Sequence, residues 1–156
     1  MIGNPPYIRV HDLKEDERIY IENNFKFSQG NTDLYITFFE IGLNALKEGG
    51  TLSYITPNSF MKNASQKEFR KYLVNNHLVE SIIDYGNVKV FGDISTYTAI
   101  TTLHRNENQK TKYVKMKNIT EQEYKTEVNL NEFDNKPWTV VNEDDEKFLK
   151  QIKERK

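Results

Sequence analysis

An α/β fold with a mostly parallel sheet is what this sequence predicts, and three observations predict it. A helical apolar periodicity runs over residues 33–47, a Gly49-Gly50 stop follows, and a Thr-Leu-Ser-Tyr-Ile-Thr stretch with strand preference comes directly after at 51–56. Helix and strand then alternate again, as they do when crossover helices cover parallel strands. The chain has 156 residues, the size of one domain at roughly 100 to 200 residues per domain. Lys and Arg number 22 against 23 for Asp and Glu, a net charge of −1, which excludes binding to a polyanion by bulk charge; any such contact has to be local. The absence of cysteine excludes disulfide scaffolds, thiolate metal sites and cysteine nucleophiles. No window approaches the roughly 20 apolar residues that span a bilayer, and Met1 is not followed by a signal-peptide pattern, so a soluble, cytoplasmic protein without a membrane partner is expected. Hydrophobic content of 37% and a mean hydropathy of −0.77 are low for a compact domain, while 12% aromatics are too many for a disordered one. A real core with part of its surface engaged elsewhere is expected.

In the helix at 33–47, Leu34, Phe38, Ile41 and Ala45 form one row and Tyr35, Phe39, Leu43 and Leu46 a second, so its apolar stripe needs cover on more than one side. Thr32 is its expected N-cap, and Gly49-Gly50 ends it because glycine takes the left-handed conformation without a clash. The strand at 51–56 is closed by Pro57. A second helix is predicted at 66–75, opened by a capping box of Ser65 with Glu68 and carrying Phe69, Tyr72 and Leu73 on its apolar side. Residues 79–85 and 95–103 read as strands joined by a loop at 86–94, an antiparallel pair at the sheet edge. Past Arg105 the character changes. Residues 113–117 and 137–141 are strand candidates, 121–136 is low in apolar content, and a helix capped by Asn142 is expected from 143 to about 153. This divides the chain into a core at 1–105 and an extension at 106–156.

The stretch richest in chemistry is Asn4-Pro5-Pro6-Tyr7. Proline has no N–H, so the Pro5 carbonyl can point outward as an acceptor with no competing donor from Pro6, and the Asn4 side-chain oxygen is a second acceptor. Two acceptors converging on one exocyclic amine hold both of its N–H bonds and aim the nitrogen lone pair, while Tyr7 stacks on the attached planar ring. The alternative is a turn tripeptide followed by a surface aromatic. His11, His77 and His104 are scattered singly and suggest no metal site.

The tetrapeptide is followed in order by Gly30-Asn31-Thr32-Asp33-Leu34-Tyr35, by Gly49 to Asn58, by Ile83-Asp84-Tyr85-Gly86 and by Thr96-Tyr97-Thr98-Ala99-Ile100. That succession resembles the adenine-N6 DNA methyltransferases of bacterial restriction-modification systems, especially those in which modification and restriction share one polypeptide. The resemblance implies the second half of a Rossmann-like methyltransferase sheet, with parallel strands, an antiparallel edge hairpin and a mixed C-terminal extension. It also implies S-adenosylmethionine as methyl donor, DNA as partner, and an adenine flipped into the pocket. Carried over residue by residue, Asn4 and the Pro5 carbonyl, with Pro6 in the same turn, receive the N6 hydrogens and Tyr7 stacks on the base. Phe91 is the second aromatic on the base, with Tyr97 a competitor for that place. Asp33, Leu34 and Tyr35 match the segment near the cofactor's adenosyl end; for Asp33 the alternative is a helix-N-terminal acid favoured by the dipole.

In the family, residues 9–30 correspond to a loop beside the DNA. Here the bases Arg9, His11, Lys14, Arg18 and Lys26 are set against Asp12, Glu15, Asp16, Glu17 and Glu22, which predicts a solvated, mobile loop. Lys62, Lys67, Arg70 and Lys71 form a modest basic patch, facing either phosphate or solvent. The family's glycine-rich cofactor loop lies before the NPPY motif, where this sequence has Met1-Ile2-Gly3, so the expectation is a fragment of a larger enzyme. It is expected to be inactive alone, to lead at its far end toward a target-recognition domain, and to self-associate through its uncovered sheet edge. Two other readings stay open: a methyltransferase acting on a protein glutamine or an RNA guanine, and a non-catalytic interaction module.

Overall fold

The computed structural model describes residues 1–92, 97–105, 107–133 and 137–141. The first strand, β1 (Ile2–Gly3), runs parallel to β2 (Thr51–Pro57), with Ile2 opposite Ser53 and Gly3 opposite Tyr54. Gly3 has to lack a side chain, because a Cβ there would lie 2.9 Å from the Tyr54 ring. Two helices bridge these strands, α1 (Glu15–Asn24) and α2 (Leu34–Ala45). The mobile loop expected at 9–30 is therefore corrected in part. Glu15, Asp16 and Glu17 sit in the first turn of α1, where carboxylates oppose the helix dipole favourably, and Glu17 accepts a hydrogen bond from the Lys14 amide at 3.2 Å. None of its residues is buried, which is why apolar periodicity did not reveal it. The segment after α1 is pinned: the Glu40 carboxylate accepts from the Lys26 and Phe27 amides at 2.9 and 3.0 Å, and the Ser28 and Thr37 hydroxyls pair at 2.7 Å.

The wide stripe of α2 is covered as its sequence requires. Tyr35, Ile36, Phe39 and Leu43 are buried, and Phe39 packs its ring 5.2 Å from Tyr54, 6.1 Å from Phe60 and 5.4 Å from Phe69. Each such side chain contributes roughly 1.5–3 kcal/mol by leaving water. The helix is capped at Asp33 rather than Thr32, because the Thr32 hydroxyl is engaged with the Gln66 amide at 2.9 Å. The second predicted helix is α3 (Lys67–Asn75). Its expected capping box does not form: a 3-10 turn over Ala64–Gln66 precedes it, its N-cap is Gln66, and no side chain caps it. Arg70 is buried and donates to the carbonyls of Phe60 and Asn63 at 2.8 and 2.6 Å, so this member of the predicted basic patch faces inward and shapes the turn after β2.

The remaining strands are β3 (Val79–Gly86), β4 (Thr98–His104), β5 (Lys110–Met116) and β6 (Gln122–Asn129), and the sheet order is β1-β2-β4-β3-β5-β6. The Rossmann-like mixed sheet forms, and β3 and β4 pair antiparallel as expected. The hairpin is not at the edge, however: β4 lies between β2 and β3, and β5 adds parallel to β3 on the other side. One row, Tyr54, Thr101, Ile82 and Tyr113, faces the helices and is buried; the alternate row, Ile55, Ile100, Ile83 and Val114, is half-buried on the opposite face. β6, in the stretch low in apolar residues, alternates half-buried Tyr124, Thr126 and Val128 with exposed Glu123, Lys125 and Glu127, a charged outer strand that discourages further pairing. Residues 137–141 are not the expected strand. Trp138 instead stacks on Phe133 at 4.8 Å, its indole donates to the Phe133 carbonyl, and its amide donates to the Met61 carbonyl. The helix expected from residue 143 lies outside the described residues.

Candidate active site

β1 ends at Gly3, so Asn4 to Tyr7 emerge at the carboxyl rim of the sheet, where open α/β sheets hold their ligands. Pro5 is buried and Asn4 exposed. The Tyr7 hydroxyl donates to the Ile55 carbonyl at 3.1 Å, tying the loop to the neighbouring strand. Burial pushes the Tyr7 phenol up to about 12, so its ring is neutral at any physiological pH. Phe91 stands edge-on to it, with ring centroids 6.4 Å apart and planes at 68°. The Asn4 side chain and the Pro5 carbonyl make no hydrogen bond with any described residue. Two adjacent unengaged acceptors beside a half-buried neutral ring can receive two N–H bonds of a planar amine and stack its ring.

The same rim carries a second cluster, built around the acid of the Ile83-Asp84-Tyr85-Gly86 stretch. Asp84 is buried and accepts four hydrogen bonds, from Asn58 Nδ2, the Gly86 amide, Tyr113 Oη and Lys115 Nζ, at 2.8, 2.8, 2.6 and 2.8 Å. Burial alone would raise its pKa, but these donors prevail and hold the carboxyl below its usual range. Tyr113 shifts upward, through burial first and then its bond to Asp84. An acid inside the apolar run Ile82-Ile83-Asp84 was the available signal, since buried carboxylates are rare unless partnered. Beside this cluster a polar cleft of about 440 Å³ opens between Lys62, Asn63, Asn87 and Tyr97. Tyr97, the competitor for Phe91's place, lines this cleft, whereas the ring edge-on to Tyr7 is that of Phe91.

Of the three residues expected near the cofactor, Asp33 and Leu34 are half-buried and Tyr35 is wholly buried. Tyr35 directs its hydroxyl to Ser59 Oγ at 3.1 Å, and its phenol is raised, chiefly by burial. Asp33 caps α2 by position only, without a side-chain hydrogen bond; burial raises its pKa, while Arg9 and His11 pull it back down. A groove of about 620 Å³ is a separate apolar feature between α1 and α2, lined by Tyr20, Phe25, Phe38 and Ile41 and by no residue of the Asn4–Tyr7 loop.

A model of the Eco57I restriction-modification methylase family matches residues 1–91. The chain is 30% identical over 122 residues to the Type II restriction enzyme and methyltransferase RM.Eco57I of Escherichia coli, covering 76% of this chain and 12% of that protein. To the Type II methyltransferase M.BstVI of Geobacillus stearothermophilus it is 34% identical over 102 residues, covering 64% and 18%. The chain thus spans under a fifth of the length of these two curated relatives. Among solved structures it resembles the cryo-EM structure of the DrdV–DNA complex, with a TM-score of 0.63 and 18% identity over 92% of this chain and 18% of that one. It also resembles a putative class I S-adenosylmethionine-dependent methyltransferase of Listeria monocytogenes, with a TM-score of 0.60 and 18% identity over 77% and 37%.

Proposed function

The chain belongs to the Eco57I restriction-modification methylase family, and from that membership we propose that it supplies the base-binding half of a site that transfers a methyl group from S-adenosylmethionine to N6 of an adenine flipped out of DNA. One observation carries the reading: the Asn4 side chain and the Pro5 carbonyl are unengaged acceptors at successive positions, beside the Tyr7 ring. Asn4 Oδ1 and the Pro5 carbonyl receive the two N6 hydrogens, which draws the nitrogen lone pair out of conjugation and directs it toward the donor. Tyr7 covers one side of the base, and Phe91 closes the pocket from an edge-on position. Asn4 and the Pro5 carbonyl would hold N6 while it takes the donor's methyl group, and the displaced N6 proton would pass along these acceptors to water. S-adenosylmethionine, when bound, supplies the electrophilic methyl group.

The cofactor's adenosyl end fits two of the three residues expected to meet it. Asp33 offers a half-buried carboxylate that its own helix leaves uncapped, and Leu34 adjoins it, whereas Tyr35 has no accessible surface. Action in the cytoplasm as part of a longer enzyme belongs to the same reading, as does self-association of the chain on its own through the uncovered edge of its sheet. The test is single-turnover methylation of duplex DNA by the full-length enzyme, together with cofactor titration. Asn4→Ala and Tyr7→Ala are expected to depress transfer and leave donor affinity within about twofold. Parental transfer rates in Asn4→Ala would overturn the assignment.

A further inference from the structure

The polar cleft beside Asp84 has a charge balance that its composition hides. Among the described residues, the acidic one lining it is Asp84, and that carboxylate is saturated by four donors, one of them Lys115. What remains directed at a ligand is donor and cation. The Lys62 ammonium, the Asn63 and Asn87 side-chain amides and the Tyr97 hydroxyl make no hydrogen bond with any described residue, and Tyr97 is 63% exposed. Arg70, buried, fixes the turn that presents Lys62 and Asn63 through the carbonyls of Phe60 and Asn63.

Its position adds to the argument. Asn58, the first residue after β2, follows Ile55, the anchor of Tyr7, by three residues, which at about 3.3 Å per residue is at most roughly 10 Å. Asn87 follows the carboxyl end of β3, and Tyr97 precedes the start of antiparallel β4, so both lie on the rim that carries Asn4 to Tyr7. A sugar and one phosphate bridge a gap of that order. We propose that the cleft binds a phosphodiester of the strand that carries the flipped base, with Lys62 as its cation, Asn63 and Asn87 as neutral donors and Tyr97 as a hydroxyl donor or a stacking face. The proposal rests on the flipped-base reading for which strand is held, and on the cleft's own residues for the phosphate.

The test is a 15N-labelled NMR titration of the 156-residue chain with three probes: an abasic oligodeoxynucleotide, the same strand with one adenine, and inorganic phosphate. The abasic strand is expected to shift the amide signals of Lys62, Asn63 and Asn87, and the single adenine to add shifts at Tyr7 and Phe91. Lys62→Gln should weaken the abasic strand's binding and reduce the slope of log K against log salt by about 0.7, the value for one single-strand phosphate. Shifts at Tyr7 and Phe91 with none in the cleft would overturn this proposal and leave the base site standing; cleft shifts with no adenine effect would do the reverse. Inorganic phosphate binding as tightly as the strand would reduce the cleft to a simple anion site and refute its role as a backbone grip. No shift with any probe, or an unchanged salt slope in Lys62→Gln, would also refute it.

Discussion

Asp84→Asn is the perturbation that most directly probes how the rim is held together. Asp84 is 5% exposed, and its carboxylate accepts from Asn58, Gly86, Tyr113 and Lys115. An asparagine keeps the shape but presents one oxygen and one NH₂, so at least one pair of the four donors meets a donor. Removing one partner of a buried ion pair costs about 3–5 kcal/mol. Lys115 is 25% exposed at its side chain and can turn to water, whereas Tyr113 at 4% cannot, which places the expected loss near the low end, about 3 kcal/mol. Urea unfolding read from the fluorescence of Trp138, the single tryptophan and itself buried, measures it. The pH dependence gives a second reading. Asp84's folded pKa lies below its ordinary value, because the four hydrogen bonds outweigh burial. Its stabilisation is therefore complete above the unfolded value of about 3.9 and is lost as pH falls through the folded one. The parent should lose this contribution below about pH 4, and the variant has none to lose there. A variant within about 1 kcal/mol of the parent at pH 7, or acid limbs that run parallel, would refute the reasoning.

Three further outcomes are expected. Tyr7→Phe keeps the ring and loses the bond to the Ile55 carbonyl, so full-length-enzyme methylation should fall less than tenfold, while Tyr7→Ala, losing stacking of about 1–3 kcal/mol, should fall roughly 5- to 150-fold. Gly42→Ala would bring its Cβ to 2.9 Å from Leu52 Cδ2 and 3.0 Å from the Tyr54 hydroxyl; overpacking of about 1–3 kcal/mol should lower the melting temperature by about 2–4 °C per kcal/mol. Glu40→Gln leaves one of the Lys26 and Phe27 amides without its acceptor, a loss of about 1–3 kcal/mol that amide hydrogen exchange should register as faster exchange at Phe27.

The parts of the fold legible in the sequence were those in which burial imposes a period. α2 announces itself because Tyr35, Phe39 and Leu43 recur on one side, and β2 because Leu52, Tyr54 and Thr56 alternate inward. The parts missed lack that imprint. α1 buries none of its residues, and β6 half-buries only alternate ones, so dipole compensation and main-chain pairing define them rather than an apolar pattern. Strand order has another source: nothing local in 98–104 tells it to lie between β2 and β3, and its place beside β2 follows from the family resemblance alone. At the rim, the Asn4–Tyr7 stretch was legible because its residue types are unusual together, Phe91 followed from the family resemblance, and the structure supplies the edge-on geometry of its ring to Tyr7. The Asp84 cluster was not, since its donors come from the turn after β2, from β3 and from β5.

The central place of β4 governs the order in which this chain can assemble. Leu52 finds its antiparallel partner in Leu103, about fifty residues later, an interval of roughly 3 to 10 seconds at the ribosome's pace of about 5–20 residues per second. Until then β2 has for company a strand of two residues, and a pair that small does not persist alone in water. β3 emerges in the meantime and waits for the same partner. One late strand thus joins β2 to β3 in a single event and brings the Asn4–Tyr7 loop and the Asp84 carboxylate into register, while Tyr113 and Lys115 reach Asp84 only when β5 adds to β3. Long-range pairing of this kind slows folding, and it delays the joining of the two sides of the rim until β4 has emerged.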